Sequence, residues 1–418
     1  MSKIEKLKSA LKSKDGKVLA SNFAYLSLLQ VAGYVFPLIT LPYLARVIGV
    51  EGFGKIAFAS AVIVWIQTIA DWGFNFTATR DVARNRDNIA IVSQIFSNVL
   101  WARLLLMGVS LVILLILIAF IPYFNENADV ILVTFLLVPG HILFPEWFFQ
   151  AMERMRYITI LNLLSKLVFT IAVFLFVKTK DDYILQPLLI SLGYIVSGVI
   201  ALSVIIYKWG YKIKLTSFFE IYKTIKNSTD IFINNIMPNL YNNTSIMLLG
   251  FWGGSNSNGI FDVGARFVNI TNQFIAVMSR TFFPFLSRKI GNHRYYVKLN
   301  LMVSIICCIL LIIFAPVIIN IIFSSEFENS IIVLRILAVS IVFYSLDDVY
   351  GKNFMIIRGC ERQLRNITAA CSIIGLLISF PLIYYWGYIG AAITITLTRG
   401  ILGIAITINA KKSTKSKG

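Results

Sequence analysis

The sequence predicts an all-α integral membrane protein with about twelve transmembrane helices, arranged as two pseudo-symmetric bundles of six. Three observations lead to this prediction. The 418 residues are 58% hydrophobic and 14% charged, and the mean hydropathy of +0.78 is too high for a water-soluble chain of this length. Apolar segments of about 20 residues, enough to cross about 30 Å of hydrocarbon, recur along the chain. Basic residues are concentrated in every second connection between these segments.

The apolar segments form two sets of six on either side of the longest polar connection. The first set is predicted at 20–45, 55–78, 92–121, 128–150, 157–177 and 184–206, and the second at 231–250, 258–283, 298–323, 330–357, 366–386 and 388–410. The predicted regions are therefore a basic N-terminal arm (1–19), an N-terminal lobe (20–206), a connector (207–230), a C-terminal lobe (231–410) and a basic tail (411–418).

The basic residues in the connections predict the orientation. If the N-terminus is cytoplasmic, 27 lysines and arginines fall in loops or termini on that side, and the opposite loops hold four, Arg46, Lys55, Lys178 and Lys180. The positive-inside rule then places both termini in the cytoplasm. The net charge of +18 consequently reports topology, and we expect no nucleic-acid partner. The arm lacks the small-residue cleavage site of a signal peptide and should stay attached.

The connector combines five lysines with aromatic residues. This composition is typical of a helix that lies on an anionic membrane surface, and a solvated linker is the alternative interpretation.

The two halves of the chain resemble each other weakly. Pro37 in the first span has a counterpart in Pro238 of the seventh, and "GKIAFAS" (54–60) resembles "GIFDVGA" (259–265). Six spans per half predict a parallel repeat about an axis along the membrane normal, with a site between the halves.

Charged residues inside the predicted spans are candidates for function, because a charge at mid-bilayer costs about 2.5–3.5 kcal/mol. The basic ones are Arg103, Lys166, Arg266, Arg280, Arg335, Lys352 and Arg399, and the acidic ones are Asp71, Glu146, Asp262, Asp347 and Asp348. Structural ion pairs and snorkelling to the headgroups are the alternatives for each of them. The basic excess, mostly arginine, suits the oxygens of a phosphate-bearing substrate.

Amide side chains add two polar faces. In the eighth span, Asp262, Arg266, Asn269, Gln273 and Arg280 fall on one stripe of a helix. In the seventh, Asn235, Asn239 and Asn242 follow at i, i+4 and i+7, beside Pro238. Amides suit sugar hydroxyls, and they suit helix-to-helix hydrogen bonds equally well.

Four stretches carry a resemblance to a known family: "PYLARVIGVEGFGKIAFA" (42–59), "DWGFNFTATRDVARNRD" (71–87), "PEWFFQAMERM" (145–155) and "TFFPFLSR" (281–288). The chain resembles Wzx-type flippases of polysaccharide repeat units, in the superfamily that also contains the multidrug and toxic compound extrusion (MATE) transporters. The resemblance extends over essentially the whole chain.

The resemblance implies a MATE-like fold in a bacterial inner membrane and alternating access of two bundles. The implied cargo is an undecaprenyl pyrophosphate-linked oligosaccharide, such as an O-antigen unit, moved from the inner to the outer leaflet. It also implies a cationic lumen, for which Arg103, Lys166, Arg266, Arg280, Arg335 and Arg399 are the candidates. Asn235, Asn239, Asn242, Asn269 and Gln273 are candidates for sugar contacts.

Coupling to H⁺ or Na⁺ is implied as well, with Asp71, Glu146, Asp262, Asp347 and Asp348 as candidates, although Asp262 could simply neutralise Arg266 at i+4. The polysaccharide polymerase and the chain-length machinery are possible partners. No cofactor or metal site is expected, because neither histidine has ligand spacing.

Three alternatives stay open. A MATE-type multidrug antiporter would share the fold, but an organic cation calls for an acidic or aromatic pocket. A flippase of another polyprenyl-linked glycan would share the chemistry. A polymerase or ligase would need a catalytic constellation on a sizeable outer loop, and loops such as "GSNSN" (254–258) are too short. We therefore expect a transporter and not an enzyme.

Overall fold

The computed structural model of the chain describes residues 14–288 and 293–415, and these ranges contain helices, short turns and no β-strand. The predicted all-α class is confirmed. The predicted arm (1–19) and tail (411–418) lie partly outside the described residues.

The described α-helices are, in chain order, α1 (Lys14–Asp71), α2 (Phe74–Arg84), α3 (Ile89–Phe120), α4 (Pro122–Glu126), α5 (Ala128–Phe135), α6 (Leu137–Leu143), α7 (Glu146–Ala151), α8 (Met155–Phe176), α9 (Leu185–Ser203), α10 (Phe218–Ile236), α11 (Asn239–Arg288), α12 (His293–Ile322), α13 (Ser330–Leu346) and α14 (Glu361–Lys415). Short 3₁₀ helices cover Lys180–Ile184 and Ser325–Phe327, and π-helices cover Val204–Lys208 and Asp347–Ile356.

Three of the long helices contain one glycine with left-handed backbone geometry: Gly49 in α1, Gly254 in α11 and Gly387 in α14. Each break divides its helix into two segments at a predicted outer turn, which matches the predicted alternation of spans. Among the described residues, eight helical stretches are long and apolar enough to cross a membrane. Helix α11, which carries the polar stripe, is not among the eight. The count of twelve crossings stays a prediction.

The first two of these breaks have the same geometry. Gly49 has φ 64° and ψ −175°, and Gly254 has φ 71° and ψ −178°. Another glycine follows each of them five residues later, Gly54 and Gly259, so both pairs are separated by 205 residues (254 − 49 and 259 − 54). This structural correspondence supports the predicted repeat. The two prolines predicted to correspond have different structural positions. Pro37 lies inside an unbroken part of α1, whereas Pro238 lies at the break between α10 and α11.

The chain divides into two compact units. The first comprises the described residues up to Leu44 together with Ile66–Ile233. An aromatic core of this unit lies around Phe96, Phe148 and Phe149, which are fully buried. These rings come from α3 and α7, so the core joins the two helices that carry Arg103 and Glu146.

The second unit comprises Ala45–Trp65 and the residues from Asn234 onward. The inclusion of Ala45–Trp65 differs from the predicted lobe boundary at residue 206. The reason is close backbone packing, because the space beside Gly54 is filled by the backbone carbonyl of Ser255. Only the missing side chain of glycine allows such an approach.

Candidate functional site

The end of α1 places Asp71 in the first unit. The helix stops there because Trp72 and Gly73 adopt left-handed backbone geometry, with φ 40° and 79°. The Trp72 indole stacks on Phe232 with 3.8 Å between ring centroids, and its Nε1 donates to Thr229 at 3.3 Å. These contacts hold the strained turn, and with it the Asp71 carboxylate, in place.

Asp71 forms an ion pair with Arg103 of α3. The Arg103 side chain is 5% exposed and that of Asp71 is 22% exposed. A buried guanidinium without a partner would be strongly destabilising. Arg103, predicted as a lumen ligand, is thus held by a carboxylate in this conformation.

Glu146 and Lys166 extend this network. The Glu146 carboxylate accepts a hydrogen bond of 2.8 Å from Nδ2 of Asn162, and it interacts electrostatically with Asp71, Arg103 and Lys166. The structure therefore brings four predicted residues, two acids and two bases, into one charged network inside the first unit. Asn162, one turn before Lys166 on α8, was not predicted from the sequence, because it lies outside the two polar faces.

In the second unit, Asp262 and Arg266 pair along one helix. The Arg266 Nη2 and Nε atoms lie 2.6 and 2.9 Å from Oδ2 of Asp262, which confirms the expected i,i+4 pair. The guanidinium also lies over the ring of Phe53, 5.2 Å from its centroid. Such a cation–π contact adds about 0.5–2 kcal/mol. Arg266 is consequently engaged by a carboxylate and a ring.

Farther along the same stripe of α11, Asn269 and Gln273 are exposed. Arg280 lies in the described helix, but its side chain is outside the described part of the structure.

The predicted amide face in the seventh span is interrupted by a break between two helices. Because Pro238 has no backbone N–H, α10 ends at Ile236 and α11 begins at Asn239, so Asn235 and Asn239 lie in different helices. Within α11, Asn239 Oδ1 accepts from Asn243, and Asn242 donates to the Pro238 carbonyl at 3.0 Å.

Asp347 and Asp348 begin the π-helix Asp347–Ile356, a feature that the sequence pattern did not predict. π-Helical turns are rare and occur frequently at functional sites. Asp348 is fully buried, and its carboxylate accepts hydrogen bonds of 3.3 Å from Lys352 and from the Tyr296 hydroxyl. Asn353, also fully buried, donates to Ser279 and to Tyr296.

Tyr296 and Asn353 connect three elements, α11, α12 and the π-helix, in one polar cluster that sequence analysis missed. The only available signal was their polarity within apolar helices, which they share with many helix-packing residues.

Arg399 is held differently from the other arginines. Its Nη1 donates to the Ser340 hydroxyl at 3.1 Å, and its guanidinium lies 5.9 Å from the ring centroid of Tyr344. The Lys352 ammonium lies 4.9 Å from the same centroid. Asp347 interacts with both Arg399 and Lys352 electrostatically. Within residues 14–288 and 293–415, Arg399 forms no direct salt bridge, so it retains donors for another anion.

The structure separates Arg335 from this group. Arg335 is exposed on the same face of α13 as Ile332 and Val339, which are 45% and 39% exposed, and its Nε donates to the Ile312 carbonyl at 3.3 Å. This environment favours the snorkelling interpretation of Arg335.

A family model described as polysaccharide biosynthesis protein matches residues 19–290. This chain belongs to that family. The resemblance to Wzx-type flippases drawn from the sequence is confirmed, and so is the MATE-like fold. One curated relative of this family member, from Escherichia coli (strain K12), is described as "Putative O-antigen transporter"; it is 28% identical over 389 residues, covering 91% of this chain and 94% of the relative. A second, from Shigella dysenteriae and described in the same words, is 24% identical over 390 residues, covering 92% and 98%.

Solved structures show the same fold. The lipid II flippase MurJ in an inward closed conformation matches 94% of this family member and 87% of its own chain, with a TM-score of 0.72 and 15% identity. A mutant of a MATE protein matches 100% and 99%, with a TM-score of 0.62 and 14% identity. The chain is therefore a multi-pass membrane protein, and the related proteins are transporters and flippases, not enzymes.

Proposed function

We propose that this protein moves an oligosaccharide repeat unit linked to undecaprenyl pyrophosphate from the inner to the outer leaflet of a bacterial inner membrane. The two relatives described as "Putative O-antigen transporter" support this cargo, because the similarity extends over more than nine-tenths of each chain. The fold supports the reaction, since the lipid II flippase MurJ has the same architecture.

The observation that carries the proposal is the state of Arg399. Its guanidinium is half-buried in a membrane helix and is held by a neutral hydroxyl and an aromatic face. Arg103 and Arg266, in contrast, are bound to carboxylates. Guanidinium groups bind phosphate oxygens with two parallel hydrogen bonds. Arg399 is therefore our candidate for the pyrophosphate ligand, together with Lys352, whose ammonium lies near the same Tyr344 ring.

The repeat supports alternating access as the mechanism. The turns at Gly49 and Gly254 have matching geometry, and the backbones beside them are in close contact through Gly54 and Gly259. Release at the outer leaflet requires these packed turns to separate.

Ion coupling is part of the proposal. The candidate carboxylates fall into three groups. Asp262 forms an ion pair with Arg266, Asp71 and Glu146 belong to one charged network, and Asp347 and Asp348 belong to another. Entry of H⁺ or Na⁺ at either network would alter the charge balance around an arginine. An ion can drive the switch only if it binds the two conformations unequally. The polymerase and the chain-length machinery would receive the flipped unit.

The test is genetic and biochemical. Deletion of the gene should leave unpolymerised repeat units on their lipid carrier in the inner leaflet, and the intact gene should rescue export. Arg399→Ala at equal abundance should fail to rescue, and Arg335→Ala, which removes an exposed arginine of the neighbouring helix, should rescue.

Normal glycan export in the deletion strain would contradict the proposed cargo. Loss of resistance to organic cations in the same strain would favour a multidrug antiporter. Accumulation of a different polyprenyl-linked glycan would favour a flippase of that glycan.

A further inference from the structure

The connector between α9 and α10 is fastened along the surface of α3. The backbone N–H of Lys212 donates to Ser93 Oγ at 3.2 Å, and that of Lys214 donates to Ser97 Oγ at 2.9 Å. Trp101 Nε1 donates to the Lys214 carbonyl at 3.0 Å. Ser93, Ser97 and Trp101 follow at steps of four residues and therefore share one face of the helix. The connector backbone is fixed, while both lysine side chains are exposed.

The length of helix α3 gives the depth of the connector in the membrane. It contains 32 residues, so at 1.5 Å per residue it is about 48 Å long, clearly longer than the about 30 Å of hydrocarbon. Twenty residues counted inward from its outer end at Phe120 reach Trp101. Trp101 thus marks the inner hydrocarbon boundary, where tryptophan is enriched, and Lys214 lies at the same level.

The start of α10 stays close to this level. Thr224 lines a small cavity together with Ile95 and Asn98 of α3, which lie one to two turns from Trp101. Between the fastened segment and this cavity lie Leu215, which is 90% exposed, and Phe218 and Phe219, which are 71% and 69% exposed. Large apolar side chains therefore project from the protein at the depth at which headgroups meet acyl chains.

The charge of the connector is complementary to an acidic surface. The connector (207–230) includes five lysines and two acidic residues, Glu220, which is half-buried, and Asp230 at its end. Lys212, Lys214 and Lys223 are all exposed. Each basic residue close to an acidic leaflet strengthens binding. Apolar side chains at the boundary with lysines beside them constitute an interfacial anchor.

We propose that the connector surface, defined as Lys212, Lys214, Leu215, Phe218, Phe219 and Lys223, binds acidic phospholipids of the inner leaflet. Leu215 and the two phenylalanines enter the acyl region, and the lysines contact headgroup phosphates. The occupant is a lipid because the fastening to α3 holds these side chains at the depth of the bilayer interface. The binding is independent of the transported cargo.

The first experiment measures lipid selectivity of the full chain. The variant Lys212→Gln/Lys214→Gln/Lys223→Gln and the intact protein are reconstituted in nanodiscs of mixed phosphatidylglycerol and phosphatidylethanolamine, and retained lipids are counted by native mass spectrometry. We expect a loss of phosphatidylglycerol retention of about fivefold for each neutralised lysine. The control, Lys298→Gln/Lys411→Gln/Lys412→Gln, removes the same charge from exposed basic-side positions outside the connector.

Unchanged retention in the connector variant would overturn the proposal, as would an equal loss in the control, because equal losses would mean a general effect of net charge.

The second experiment measures depth. In a full-length background with the four cysteines replaced by serine or alanine, a nitroxide is attached to Phe219→Cys or to Lys223→Cys. At position 219, oxygen should relax the label more than a water-soluble nickel chelate does, and at position 223 the order should be reversed. Chelate-dominated relaxation at both positions would overturn the proposal in favour of a solvated connector. Protection of both positions from both reagents would overturn it in favour of a protein partner.

Discussion

The backbone carbonyl of Val50 occupies the space where a side chain on Gly259 would lie. The carbonyl of Ser255 does the same for Gly54, and the two contacts are related by the 205-residue repeat. The turns that follow Gly49 and Gly254 therefore pack reciprocally, backbone against backbone, and a single methyl group would separate them.

Replacement of Gly259 by alanine should open this junction. Overpacking of a close contact costs about 1–3 kcal/mol, so Gly259→Ala should lower the unfolding temperature in detergent and reduce export of repeat units. Gly108→Ala is the control, because no atom beyond the nearby backbone of the same helix lies within 4 Å of the added methyl and alanine is favoured in a helix. Identical unfolding of Gly259→Ala and the intact protein would contradict the packing described.

The Asp71–Arg103 pair should show strong coupling in a double-mutant cycle. Removal of one partner of a buried pair costs about 3–5 kcal/mol, and the partial exposure of Asp71 places our expectation at the lower end. Asp71→Asn and Arg103→Gln should each destabilise the protein in thermal unfolding, and the double variant should lose less than the sum. The exposed Arg80–Asp81 pair is the control and should show less than about 1 kcal/mol. Additive losses at Asp71 and Arg103 would argue against their pairing.

The ring of Tyr344 should matter for transport, and its hydroxyl should not. Arg399 and Lys352 both lie against this ring, and the negative face of an aromatic ring attracts each cation. At equal abundance, Tyr344→Phe should rescue export fully, and Tyr344→Leu should reduce it severalfold. Equal rescue by both variants would mean that the ring does not position the cations.

The salt bridge between Arg86 and Glu153 should weaken in acid. Arg86 and Glu153 form a salt bridge of 2.8 Å, and the hydrogen bond from Arg86 holds the pKa of Glu153 below its usual value. This contribution is fully present above the pKa of the unfolded chain and is lost as the pH falls through the lowered folded value. Because both groups are exposed, we expect less than about 1 kcal/mol. Comparison of Glu153→Gln with the intact protein in unfolding measurements from pH 7 to pH 3 tests this, since the difference should vanish at the acidic end.

Local patterns explain which features of the site were predictable. The Asp262–Arg266 pair follows from a spacing of four residues on one helix, and the structure contains it. The break at Pro238 was foreseeable as a weak point, but its consequence for the amide face was not, because a proline inside α1 leaves that helix unbroken. Whether a proline bends or ends a helix depends on what packs beside it.

The sequence by itself determined the membrane class and the all-α fold class, because the cost of placing polar groups in hydrocarbon acts on every segment separately. The tertiary structure alone decided which charges neutralise each other. Asp71 and Arg103 are 32 residues apart and on different helices, and the cluster around Asp348 joins helices more than 50 residues apart. The low dielectric of a buried site demands that each charge have a partner, and only the packing of helices determines which partner it has.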